Sequence, residues 1–146
     1  MKYLKKFNEN SQEVINIISE TFSDVDMEDM GFKFKISNFG NSLDHRIKLT
    51  INKDFEKNPR IEKGEYGSIH NLLYSKIVYL IDIGVDVANV IYGTIDTEKG
   101  KVEIKTANEY LGKNGNMIGF LDHLFPTETT ILGQIEIIFL DSIQPS

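Results

Sequence analysis

Along this chain the apolar positions change period several times, and each period predicts an element. Val14, Ile15, Ile17, Ile18 and Phe22 fall on one face at helical spacing. Asn10 or Ser11 can cap that helix, with Glu13 three residues after Asn10 as in a capping box, and the pattern stops near Ser23. Phe32, Phe34 and Ile36 then alternate with Lys33 and Lys35, and Ile47, Leu49 and Ile51 alternate with Arg46, Lys48 and Thr50. Such alternation predicts two strands with one buried face. Between them Ser37–Ser42 carries the Asn and Gly residues of a hairpin turn. Residues 53–67 are polar, hold Pro59, Gly64 and Gly67, and read as the longest loop.

Ser68 reads as a second N-cap, followed by a helical stripe of Ile69, Leu72, Leu73, Ile77, Leu80 and Ile81 up to Gly84 as the C′ residue. Ile77–Ile83 is also rich in β-branched residues, a composition that fits a buried strand equally. A second hairpin follows, with arms Val87–Thr97 and Val102–Thr106 around the turn Asp96–Lys101. Asn108–Pro126 is punctuated by Gly112, Gly115 and Gly119 and holds a short helix over Met117–Leu124. Ile131–Leu140 is nearly all apolar, as a strand covered on both sides is, and so belongs in the middle of the sheet. The order predicts an α+β fold in a single domain over 1–146: a mainly antiparallel sheet with two helices packed on one face, in helix-hairpin-helix-hairpin-strand order.

Composition changes this picture only by exclusion. With 40% hydrophobic and 26% charged residues, the chain has the makings of one good core. The absence of cysteine removes disulfides, thiolate zinc sites, iron–sulfur clusters and cysteine catalysis. Met1–Phe7 is basic but is not followed by the apolar run and cleavage site of a signal peptide, and no stretch has the length of a membrane helix. The expectation is a cytoplasmic protein with no membrane association.

The net charge is −6, yet its distribution is uneven. Beyond Lys113 there is no basic side chain, only Asp122, Glu128, Glu136 and Asp141 among ionised groups. Asp24, Asp26, Glu28 and Asp29 form an acidic connector between the first helix and the first hairpin. Its alternating carboxylates resemble the opening of an EF-hand loop, but the sixth position is Asp29 rather than glycine and the twelfth is Lys35 rather than glutamate. The connector therefore reads as a solvated acidic surface suited to a basic partner, and no metal site is predicted. Lys33, Lys35, Arg46 and Lys48 project together from the face opposite the buried side of the first hairpin. With Lys113 in the Gly112–Gly119 loop they make the candidate anion-binding set. That loop matches neither the Walker A spacing nor the dinucleotide fingerprint, and no aromatic residues interleave with the lysines as a stacking platform requires.

Catalytic constellations are not assembled by local spacing. His45 and His123 each follow an aspartate, but adjacent residues point to opposite sides of a strand and about 100° apart on a helix, so neither pair is made by adjacency. Turn and cap roles are expected for these two and for His70. Gly67-Ser68-Ile69-His70 lacks the second glycine of a nucleophile elbow. An enzyme built on His123 would need an acidic partner from elsewhere in the chain.

The opening Met1-Lys2-Tyr3-Leu4-Lys5-Lys6-Phe7-Asn8-Glu9 resembles the starts of small uncharacterised proteins of large tailed bacteriophages. The resemblance carries no site residue; it implies a phage or mobile-element product. The reading that follows is a non-enzymatic protein-binding protein. It would be a minor virion component, or a small acidic inhibitor or immunity-type protein, with no cofactor and with Asp24, Asp26, Glu28 and Asp29 as its partner surface. The alternative is an RNA- or nucleotide-binding protein using the basic hairpin and the Gly112–Gly119 loop.

Overall fold

In the computed structural model of the protein, the described residues are 2–23, 31–41, 44–53, 60–106 and 117–143. They form α1 (Lys2–Phe22), β1 (Phe32–Asn41), β2 (Asp44–Lys53), α2 (Lys63–Asp82), β3 (Val85–Asp96), β4 (Lys101–Thr106), α3 (Met117–Leu124) and β5 (Thr130–Ile143). The fold is α+β. The five strands make one antiparallel sheet in the order β1-β2-β5-β3-β4, so the apolar last strand lies at its centre, as its composition predicts.

One face of the sheet is the core. Ile47, Leu49 and Ile51 of β2, Ile135, Ile137 and Phe139 of β5, and Val90 and Tyr92 of β3 are all buried. Val14, Ile18 and Phe22 of α1 and Ile69, Leu73, Ile77 and Leu80 of α2 join the same cluster. Leu124 and Phe125 close it at the end of α3. Polar ties fix the elements around this core. Lys76 Nζ donates to the Thr21 carbonyl at 2.7 Å and sits over the Phe22 ring, a cation placed at the electronegative end of α1. Lys53 at the end of β2 pairs with Glu65 in the first turn of α2. Ile61 and Leu132 exchange two backbone hydrogen bonds of 2.9 Å each, pinning the approach to α2 against β5.

The helix starts differ from the sequence expectation. α1 begins at Lys2, so Asn10 and Ser11 lie within it and are not caps. Leu4 and Phe7 continue toward Val14 and Ile18 at helical spacing, with no proline or glycine to stop the helix. α2 begins at Lys63 with Glu62 as N-cap, and Glu65 reaches back to accept the Glu62 N–H at 3.4 Å. Ser68 is therefore interior, and its hydroxyl donates to the Gly64 carbonyl. Ile77–Asp82 is helix rather than strand, ended by Gly84, whose φ of 98° places it in the left-handed region a C′ residue needs. Ile81, expected in the buried stripe, is exposed. The strands of the first hairpin run on to Asn41 and from Asp44, so most of the expected turn is paired backbone. The second hairpin, α3 and β5 fall where the pattern places them, with Gly100 at φ 68° in the β3–β4 turn.

Candidate interaction surface

Strand register decides which side chains share the outer face of the sheet, the one turned away from the core. One cross-strand row runs Lys35, Thr50, Glu136, Ile91 and Thr106. Beside it Lys48 stands opposite Ile138, and Arg46 opposite Leu140. On the far half Ile104 stands opposite Gly93, and Val102 and Ile131 flank Ile95. A register shift at Gly133 lets Thr94 and Leu132 both turn to the core while Ile95 and Ile131 turn outward.

The outer face is thus divided. Lys33, Lys35, Arg46 and Lys48 occupy the β1–β2 side together, as the alternation expects, and Glu136 marks the middle. The β3–β4 side is apolar: Val102 and Ile104 are 67% and 75% exposed, beside the partly exposed Ile91, Ile95 and Ile131. Two large aliphatic side chains so exposed on an edge strand are the feature of this surface that folding alone does not explain.

The alternate residues of β4 point to the core side. Lys101, Glu103 and Lys105 line a pocket of about 160 Å³ with Thr94, Asp96 and Thr127. Its polar groups already hold one another. Asp96 accepts from the Thr129 hydroxyl at 2.8 Å and from the Glu98 and Lys99 N–H groups at 3.0 and 3.3 Å. The Thr129 bond foremost keeps its carboxyl below the usual range. Glu103 is held low by the hydrogen bond and charge of Lys101, 3.0 Å away, and has Lys105 at 3.6 Å. Lys105 also donates to the His123 carbonyl at 2.6 Å. These bonds clamp the β3–β4 turn to the α3–β5 connection, which gives the cluster a structural explanation.

The histidines separate. His70, expected in a turn or cap, is buried mid-helix in α2, with Nδ1 3.0 Å from the Tyr66 hydroxyl, which lies 2.7 Å from the Tyr92 hydroxyl. Burial lowers the His70 pKa and raises those of both tyrosines. His123 is exposed in the last turn of α3, and the side chain of His45 lies outside the described residues. Asp24, Asp26, Glu28, Asp29 and Lys113 also lie outside them. Among the described residues no group of three His, Asp or Glu side chains is placed to hold a metal ion, and no helix is long and apolar enough to cross a membrane. The exposed pair Val102 and Ile104 was missed by sequence reasoning; the signal was the run Lys-Val-Glu-Ile-Lys, whose buried side cannot be assigned without the β3 register.

Comparison with known proteins brings no assignment: no protein-family model, curated protein or solved structure significantly matches this chain.

Proposed function

We propose that this protein works by binding another protein, and that the apolar half of the outer sheet face is the contact surface. The observation that carries the reading is the exposure of Val102 and Ile104 on β4, continuous with Ile91, Ile95 and Ile131. Apolar area gathered at one place on a surface gains most from being covered, at about 25 cal/mol per Å² removed from water. The proposal takes both long helices to lie on the core side, leaving the outer face to the partner. It moves the contact from the acidic connector to the sheet and keeps the expectation of a phage-type inhibitor, immunity protein or minor virion component, cytoplasmic or virion-associated.

A photo-crosslinking amino acid at position 102 tests this, with position 98 in the exposed β3–β4 turn as control, in cells that make the protein. Crosslinking to polypeptide at 102 and not at 98 is the expected result; equal or no crosslinking at both would contradict it. A second reading rests on the shared outer face of Lys33, Lys35, Arg46 and Lys48, which matches a phosphate backbone in sign. It requires affinity for single-stranded RNA that falls with salt at a log–log slope of about −3, near −0.7 for each of the four contacts. A flat response would discard it.

A further inference from the structure

We infer that a second copy of this chain joins the sheet edge to edge through β4, in an antiparallel register centred on Ile104, so that the exposed β4 side chains pack beside those of the partner strand. This rests on the protein-binding reading and deepens it by naming the partner at the β4 edge of that surface. Among the described residues no strand pairs with the outer edge of β4, and β3 holds its inner edge. An open edge is a row of backbone donors and acceptors ready for another strand.

The side chains of Lys101-Val102-Glu103-Ile104-Lys105-Thr106 decide what that strand is. A two-fold axis normal to the sheet keeps the apolar faces of two copies continuous only if paired residues share a face. Centred on Ile104, the register sets Ile104 against the partner's Ile104 and Val102 against the partner's Thr106. It also sets Glu103 against the partner's Lys105, twice by symmetry. Centred on Glu103, it would oppose glutamate to glutamate and lysine to lysine, which destabilises cross-strand pairs. Centred on Val102, it would pair Lys101 with the partner's Glu103 but run at once into the Thr97–Gly100 turn. The Ile104 register alone combines opposite charges with use of the strand from Val102 to Thr106. The result would be a sheet continuous across two copies, with Val102, Ile104 and their symmetry mates in one apolar seam.

The chain contains no cysteine, so single-cysteine variants read the register directly. Ile104→Cys should form an intermolecular disulfide under mild oxidation, since directly opposed residues have Cα atoms within about 4.4–6.8 Å. Val102→Cys alone should not, because its mate lies four positions along the strand, about 13 Å away. A mixture of Val102→Cys and Thr106→Cys should crosslink heterotypically. In sedimentation at about 100 μM, Glu103→Lys or Lys105→Glu should each weaken the dimer about tenfold, and the double exchange should restore it. A wild-type monomer at that concentration, or crosslinking at Val102→Cys in place of Ile104→Cys, would overturn the inference. The position-102 crosslink stays separate: a heterologous polypeptide captured there by a monomeric protein would refute the second copy but not protein binding, whereas a monomer with no crosslink would refute both.

Discussion

The buried hydroxyl of Tyr66 offers the sharpest test of how the core is held. It stands 2.7 Å from the Tyr92 hydroxyl and 3.0 Å from His70 Nδ1, and the Phe125 ring lies beside the Tyr66 ring. With His70 neutral, one consistent chain has Tyr92 donating to Tyr66 and Tyr66 donating to Nδ1. Tyr66→Phe then removes both of these hydrogen bonds. At about 1 kcal/mol per bond, the loss is about 2 kcal/mol. Tyr92→Phe removes the bond to Tyr66, for which about 1 kcal/mol is expected. The double variant should cost about 1 kcal/mol less than the sum, because the Tyr66–Tyr92 bond is lost only once. Urea unfolding followed by circular dichroism measures all three. A Tyr66→Phe loss below about 0.5 kcal/mol, or strict additivity in the double variant, would refute the reasoning.

Other expectations follow from the same core. The His70 pKa is depressed by burial from its ordinary 6.5, so above 6.5 the folded and unfolded states both hold it neutral. As pH falls below that value the unfolded state takes up a proton that the folded state resists, and stability declines; denaturation midpoints of wild type and His70→Gln should converge with falling pH, and parallel curves would contradict this. Leu49→Ala, at a fully buried position of β2, should cost about 2–5 kcal/mol in urea unfolding, and a loss under about 1 kcal/mol would mean that this face is not the core. Val102→Asp with Ile104→Asp should cost monomer stability no more than about 2 kcal/mol, the strand preference lost at two exposed positions; a larger loss would mean that these side chains belong to the core.

Much of the fold was legible in the pattern, for identifiable reasons. Alternation in Phe32–Ile36 and Ile47–Ile51 set the buried side of the first hairpin and, with it, the outer-face position of Lys33, Lys35, Arg46 and Lys48. The nearly all-apolar run Ile131–Leu140 of β5, interrupted only by Gly133, Gln134 and Glu136, announced a central strand, and β5 does pair with β2 on one side and β3 on the other. Helix starts were harder. Asn10, Ser11 and Ser68 have the side chains of caps, but caps contribute only about 1 kcal/mol, and continuing apolar periodicity or a better box at Glu62 and Glu65 outweighs them. The exposed face of β4 was not legible because it depends on pairing with β3 near the Gly133 shift, a long-range fact. His70 likewise needs Tyr92, distant in sequence, before its burial makes sense.

The central claim, that the Val102–Ile104 side of the sheet is a protein-binding surface, is tested most directly by native mass spectrometry. Tagged wild type and the Val102→Asp, Ile104→Asp variant would be recovered gently from the same cellular background. Wild type should carry an adduct with the mass of a polypeptide, a second copy if the β4 strands pair as inferred, and the variant should lose it. A nucleic-acid adduct on both proteins, or a polypeptide adduct that survives the two aspartates, would contradict it.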